Sequence, residues 1–218
     1  NSSDYSISDF TYNADIVPLA VSLSGSRAYN GNTDIGGSDL LVSNVVGADT
    51  VTLSGAGTLA GADAGTQTIS SFGTLALSNS NYALTGASGS VVIQKAVLTA
   101  TATVSDKSYD GDDSAVVSLS LSGLVGTEDL DQTVTARFDS TDAGTRTATI
   151  DSFSLDNGTN GAASNYSLAS DAITFTSNTA TIAQKALTAT ATVAGKTYNG
   201  DDSAAVTLSL SGLVGLED

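Results

Sequence analysis

The sequence predicts an all-β fold made of tandem modules, and three observations carry that prediction. Apolar residues alternate with hydroxyl residues over long stretches, as between Leu98 and Val104, which is the pattern of a half-buried strand. Gly and Asp separate these stretches about every ten residues, a spacing typical of sandwiches and similar all-β modules. The chain also repeats itself, because residues 107–129 and 196–218 carry almost the same sequence.

Alternating patterns predict the strands in chain order. A first strand begins at Leu19, and equivalent strands begin at Leu98 and Leu187. Four more inward-facing sets follow in the second repeat: Val117, Leu119 and Leu121; Val134, Ala136 and Phe138; Ala148 and Ile150; and Ile173 and Phe175. Neither complete repeat contains a pattern that predicts an amphipathic helix. The turn at 140–145 supplies Gly144 for a positive φ and predicts a hairpin, whereas the stretch 157–165, NGTNGAASN, predicts a long exposed loop.

Short phrases recur in a constant order and predict the domain organisation. They are Tyr-Asx-Gly (Asx is Asp or Asn), Asp-Ala-Gly-Thr, Asn-Tyr, and a closing Ile and Lys. The predicted parts are the tail of a preceding repeat (1–18), two complete repeats (19–96 and 97–186) and the start of a further repeat (187–218). No Gly/Ser-rich or Pro-rich linker separates them, so small β-sandwich (immunoglobulin-like) modules arranged as a rigid rod are predicted, with β-grasp-like modules as the alternative.

Composition and charge limit the classes of partner. The 218 residues carry a formal net charge of −16 with only seven Lys plus Arg, which argues against binding nucleic acid or anionic lipid. No apolar run approaches the roughly 20 residues of a membrane helix, so no membrane insertion is expected. The chain has no Cys and no His, which excludes disulfides, thiol catalysis and thiolate metal sites.

The acidic residues around the Tyr-Asx-Gly phrases are candidate ligands for Ca²⁺, because hard cations bind clustered carboxylate and carbonyl oxygens. The candidates are Asp110, Asp112 and Asp113 in the second repeat and Asn199, Asp201 and Asp202 in the third. Their spacing does not match an EF-hand loop. The alternative interpretation is an acidic surface turn whose tyrosine packs on a strand edge, with no cofactor bound.

No enzyme is predicted. The only two glutamates, Glu128 and Glu217, occupy equivalent positions in consecutive repeats. A paired-carboxylate hydrolase needs two such groups a few ångströms apart in a cleft, and nothing in the sequence places them so. Active sites rarely occur in every copy of a repeat, so the repetition itself argues against catalysis.

The repeated phrases resemble a known family. Tyr109 to Gly126 and Tyr198 to Gly215, with the Asp-Ala-Gly-Thr turn, the Asn-Tyr and the closing Lys, are similar to the YDG and MBG-type repeats of large bacterial surface adhesins, including filamentous-haemagglutinin-like exported proteins. The resemblance covers nearly all of residues 16–218. It implies an extracellular location at the bacterial cell surface and a structural or adhesive role, for instance in a biofilm, and it implies no catalytic residues.

Three functional hypotheses follow. The first is a stalk or fibre segment of a secreted adhesin, in which neighbouring repeats of the same chain extend a binding tip or build extracellular matrix. The second is a self-assembling extracellular filament, in which copies of the chain share a strand such as 187–193. The third is a module that binds a glycan or a host protein through loops such as 157–165.

Overall fold

The computed structural model describes residues 15–215 and 217, and it confirms the all-β prediction. The chain divides into two compact units, residues 1–96 and 97–218. Within the described residues, helical structure is limited to the short 3-10 turns Gly37–Asp39 and Ala163–Asn165. No helix in this part of the chain is long and apolar enough to cross a membrane. Most of the predicted tail at 1–18 lies outside the described residues.

The first unit contains a mixed sheet with a parallel pair near its centre. Its strands are Leu19–Ala28 (β1), Asp34–Gly36 (β2), Leu40–Val42 (β3), Leu53–Ser54 (β4), Ala56–Leu59 (β5), Gly65–Ser71 (β6), Ala76–Leu77 (β7) and Tyr82–Gln94 (β8). Six of them form one sheet in the order β2-β5-β6-β8-β1-β3, and β4 pairs with β7. The first and last long strands, β1 and β8, run parallel, whereas β8 pairs with β6 in antiparallel fashion. Immunoglobulin-like sandwiches are built from antiparallel sheets, so this central pair departs from that arrangement.

The core of the first unit is built from the inward side chains of these strands. Aliphatic residues and two tyrosines supply it: Val21, Leu23, Tyr29, Ile35, Leu40, Leu59, Leu75, Tyr82, Val91 and Ile93 are buried. Alternation in β1 places Val21 and Leu23 on one face, as the sequence pattern predicts. Because the chain has no Trp and few aromatic residues, branched aliphatic side chains fill most of this layer.

The second unit holds three sheets. Its strands are Ala96–Val104 (β9), Lys107–Ser108 (β10), Ser114–Ala115 (β11), Val117–Ser122 (β12), Leu130–Phe138 (β13), Gly144–Asn157 (β14), Tyr166–Ser177 (β15), Thr179–Ala183 (β16), Thr188–Val193 (β17) and Val206–Ser211 (β18). They are ordered β10-β16-β14-β13-β11, β12-β9-β15 and β17-β18. Again a strand from the start of the repeat, β10, pairs in parallel with one from its end, β16.

Two sets of buried side chains make up much of the core of the second unit. In β9 the alternation is strict: Leu98, Ala100 and Ala102 are buried, and the threonines between them are exposed. On the other sheet, Phe138 is fully buried with Ala148, Ala180 and Ile182. Val104, Tyr109 and Ala115 pack against that second cluster from the side.

The third repeat begins with the same hairpin, but its apolar face is open. Strands β17 and β18 pair in antiparallel register, as β9 and β12 do in the second repeat. Leu187 is 47% exposed, whereas the equivalent Leu98 in the second repeat is fully buried, and Leu208 on the paired strand is 62% exposed. The strand pattern therefore specifies the hairpin itself, and burial of its apolar face depends on strands from elsewhere.

The turn at 140–145 is as predicted, and the loop at 157–165 is not. Gly144 has a φ of 134° and starts β14 after the turn that follows β13. The 157–165 stretch, predicted as an exposed loop, instead folds back on Asp129, whose carboxylate accepts the Asn160 amide at 2.8 Å. Gly161 is buried because this part of the loop packs tightly on the Asp129 backbone, and Asn165 at the end of the loop is buried as well.

Candidate functional site

The Tyr-Asx-Gly loop, defined as residues 27–34, 107–114 and 196–203, has the same backbone geometry in all three repeats. The Asx side chain accepts a hydrogen bond from the amide two residues later: Asn30 from Asn32 at 3.2 Å, Asp110 from Asp112 at 3.2 Å and Asn199 from Asp201 at 3.3 Å. Such Asx-turns are the reason that Asp and Asn are interchangeable at this position. The glycine that follows has a φ of 76°, 82° and 85° in the three repeats, a left-handed conformation that favours Gly.

A second Asx-turn follows directly in each loop. The side chains of Asn32, Asp112 and Asp201 each accept an amide two residues further on, at 3.0, 2.8 and 2.9 Å. In the second and third repeats a serine hydroxyl also donates to the same carboxylate. Much of the hydrogen-bonding capacity of these acidic side chains is therefore used within the loop itself.

A basic residue two positions before the tyrosine closes the loop. The ammonium of Lys107 lies 2.7 Å from the carboxylate of Asp110 and 2.8 Å from that of Asp112. Lys196 pairs with Asp201 in the third repeat, and Arg27 donates to Asn30 in the first. Three of the seven basic residues of the chain thus hold one equivalent position.

These contacts shift the ionisation of the loop. The hydrogen bond from Lys107 holds the pKa of Asp112 at about 2, with the Ser114 hydroxyl and amide as further donors. The pKa of Asp110 is also lowered, chiefly by Lys107. In Lys107 desolvation opposes the charge, but the hydrogen bonds to both carboxylates outweigh it, and its pKa is raised. Lys107 and the two carboxylates therefore form a local ion-pair network whose groups stay charged across the neutral pH range.

The candidate calcium ligands fall into two groups in this geometry. All six are exposed, but the side chains of Asp110, Asp112, Asn199 and Asp201 make hydrogen bonds or ion pairs within the loop, and the loop contacts described above do not involve Asp113 and Asp202. Among the described residues no group of three or more acidic side chains is arranged to hold a metal ion. An ammonium already occupies the place between the two carboxylates of the second repeat. The calcium interpretation stays a prediction.

A second repeated feature, which we call the tyrosine clamp, holds the loop that follows the first hairpin. In the second repeat the Tyr166 hydroxyl accepts the Val125 amide at 3.0 Å and donates to the Glu128 carboxylate at 2.7 Å. In the first repeat the Tyr82 hydroxyl accepts the Val46 amide at 2.9 Å and donates to Asp49 at 2.9 Å. Burial, and to a lesser degree the Glu128 carboxylate, raise the pKa of Tyr166 against the opposing effect of the Val125 amide.

The clamped loop is itself a repeated turn. It comprises residues 44–49, 123–128 and 212–217, and we call it the Leu-Val-Gly loop. A carbonyl of the valine accepts the amide three residues later at 3.2, 3.1 and 3.2 Å in the three repeats. The glycine between them has a φ of 61°, 59° and 60°. An acid three residues after each valine is the signal for this clamp in the sequence, but the tyrosines that it meets lie 36 and 41 positions from the valines, so local spacing does not reveal the pairing.

The comparison with protein families matches the YDG domain over residues 16–89 and 93–174, which is more than half of the chain. The chain belongs to the YDG domain family. The first YDG match contains the loop at 27–34 and the second contains the loop at 107–114, whereas the third loop at 196–203 lies outside the matched ranges. No curated protein and no solved structure gave a match.

The family match corrects the resemblance drawn from the sequence. The expectation of YDG and MBG-type repeats of large bacterial surface adhesins was wrong in its context, because the match is to the YDG domain and gives no adhesin or filamentous-haemagglutinin setting. The short phrases identify a backbone loop and its partners. They do not carry information about the larger protein in which that loop is found.

Replacing the lysine of the second YDG loop tests the ion-pair account. In Lys107→Ala we expect the pKa of Asp112 to rise from about 2 toward 3.8, measured by carboxyl carbon NMR, with Lys185→Ala as the control outside the loop. A depressed folded pKa gives stability above pH 3.8 that is lost as the pH falls toward 2, so the parent should lose this contribution there and the variant should not. An Asp112 titration that Lys107→Ala leaves unchanged would contradict the account.

Proposed function

We propose that the chain is a structural, non-catalytic segment whose YDG repeats supply length outside the cell, as a stalk or fibre. The observation that carries the proposal is that both repeated features, the Tyr-Asx-Gly loop and the tyrosine clamp, use their polar groups to hold their own backbone. A binding or catalytic site would leave some of these groups directed at a ligand. Stabilising contacts that recur within every repeat are expected in a module that is duplicated to add length.

We further propose that each module is β-grasp-like. In both units a strand from the start of the repeat lies parallel to one from its end (β1 with β8 and β10 with β16), which favours this fold. The tandem immunoglobulin-like sandwich is the other arrangement. In either case the absence of a flexible linker favours restricted bending between repeats and hence a rod. The acidic charge of −16 favours a soluble, solvated surface along its length.

Small-angle X-ray scattering on chains of increasing length tests this proposal. We expect the maximum dimension to grow by a constant increment for each added copy of residues 97–186. A single compact body would instead grow with about the 0.38 power of residue number, so its increments would shrink. Shrinking increments would overturn the structural role as a spacer.

A self-assembling filament is a second candidate, favoured by the open hairpin of β17 and β18. Its outward apolar residues, Val193, Val206, Leu208 and Leu210, are each at least half exposed. Such a face with an unpaired edge is a template for a strand of a second copy. Sedimentation velocity at rising concentration checks this: head-to-tail species that disappear in Leu208→Lys support the filament, and a monomer at all concentrations contradicts it.

A further inference from the structure

The Leu-Val-Gly loop at 212–217 lies against the Tyr-Asx-Gly loop of the second repeat. The Tyr109 hydroxyl donates a hydrogen bond to the Glu217 carboxylate. Gly111 is so close to Val214 that a Cβ at this glycine would lie 2.9 Å from the valine Cγ1. The equivalent Gly200 of the third repeat has nothing within 4 Å of such an atom. Glycine at 111 therefore serves a close approach as well as the turn.

The receiving surface is held in place by the second repeat itself. The Tyr109 amide donates to the carbonyl of Ala183 at 2.8 Å, at the end of β16. Its ring packs against the buried cluster around Phe138. The hydrogen bond to Glu217, followed by burial, raises the pKa of Tyr109, so the phenol keeps its proton and remains a donor through the neutral range. The exposed Tyr198, at 92%, shows the same phrase without an occupant.

The docked loop is equally preformed. Gly212 and Gly215 have φ values of 99° and 60°, matching the 100° and 59° of Gly123 and Gly126 in the second repeat. This turn presents Glu217 as its counterpart presents Glu128 to the tyrosine clamp. A carboxylate has several lone pairs and can accept more than one hydroxyl. Two surfaces that are ordered before they meet lose little conformational freedom on docking.

A shallow cleft marks the rest of this contact. Its volume is about 370 Å³, and the turn at Asp142 and Ala143 and the closing pair Gln184 and Lys185 line the side contributed by the second repeat. Leu213 and Val214 line the other side. The receiving surface thus combines three phrases that recur in the repeat: Tyr-Asx-Gly, Asp-Ala-Gly-Thr and the closing lysine.

We propose that the Tyr-Asp-Gly phrase of the second repeat is the receptor, and the Leu-Val-Gly loop ending in Glu217 the ligand, of a joint between this repeat and the one that follows. The Tyr109–Glu217 hydrogen bond and the Gly111–Val214 contact set how the two dock. The signature tyrosine is therefore an interface residue between consecutive repeats. The inference deepens the proposed function, since a spacer needs defined joints, and rests on it in that respect.

Amide hydrogen exchange of residues 206–217 in the full chain tests the joint. We expect Tyr109→Phe and Glu217→Ala each to speed this exchange roughly three- to tenfold, and the double variant to add little to the larger single effect, because both substitutions remove the same hydrogen bond. Unchanged exchange, or independent effects that multiply, would overturn the proposal.

A second double-mutant cycle tests the contact between Gly111 and Val214 and does not depend on the Tyr109–Glu217 hydrogen bond. Gly111→Ala should speed the exchange of 206–217, because the new methyl group would collide with the Val214 side chain and push the docked loop away. In the V214A background the same substitution should have a clearly smaller effect. An equal effect in both backgrounds would contradict the contact.

The exchange experiments and the scattering experiment distinguish failure of the joint from failure of the proposed spacer. Coupled variants in a chain whose scattering dimension does not grow by constant increments would leave the joint standing and remove the spacer. Uncoupled variants in a chain that does grow so would remove the joint alone.

Discussion

Phe138→Ala is expected to destabilise the second unit by about 3–5 kcal/mol, the range for removing a buried aromatic side chain. Phe138 is 2% exposed and packs on Ala148, Ala180 and Ile182, which are too small or too constrained to fill the cavity left behind. The measurement is the free energy of unfolding from chemical denaturation, followed by circular dichroism and by the methyl NMR signals of residues 97–186.

Phe153→Ala is the matched control for this prediction. Phe153 lies on β14 opposite Val134 in the same strand pair, but it is only half-buried. Its removal should cost clearly less than that of Phe138, because more of the ring is already in contact with water. Equal losses, or a loss under about 1 kcal/mol in Phe138→Ala, would mean that the cluster around Phe138 is not the core of the repeat.

Tyr166→Phe is expected to destabilise the second unit by about 1–3 kcal/mol, as the loss of a buried hydroxyl with two partners requires. The tyrosine is 2% exposed, and its hydroxyl serves the Val125 amide and the Glu128 carboxylate together. The phenylalanine variant leaves both groups without that partner. Denaturation of the whole chain measures the effect, and the 123–128 amides should exchange faster.

Two variants control for the clamp. Glu128→Gln keeps an acceptor for the Tyr166 hydroxyl and should cost less than Tyr166→Phe, because only the charge of the bond is lost. Tyr198→Phe removes an exposed hydroxyl and should change the free energy of unfolding little. If Tyr166→Phe changes the free energy of unfolding as little as Tyr198→Phe does, the clamp does not stabilise the repeat.

The strand pattern and the turns could be predicted from local sequence. Alternation in β9 follows directly from side chains pointing to opposite faces of a strand, and Gly144 follows from the positive φ of the turn. The Tyr-Asx-Gly phrase likewise encodes a local Asx-turn. In each of these cases the residues that interact are only a few positions apart, so spacing alone specifies the structure.

The tyrosine clamp and the parallel strand pairs could not be predicted in the same way. Tyr166 reaches Val125 from 41 positions away, and β1 meets β8 across most of the repeat, so both depend on the tertiary fold. The role of Lys107 is an intermediate case. A basic residue lies two positions before the tyrosine of each Tyr-Asx-Gly phrase, which is a usable signal, but the same acidic residues are also candidate ligands for an external cation. In the structure the cation between Asp110 and Asp112 is the lysine.

Pulling the chain by its two ends in a force spectrometer tests the central claim that consecutive self-contained YDG repeats carry tension. The account predicts two separate unfolding events for the complete repeats, each releasing about 80 to 90 residues, or up to roughly 300 Å at 3.3–3.6 Å per residue. A single event that releases both repeats at once, or extension without any resolved resistance, would contradict it.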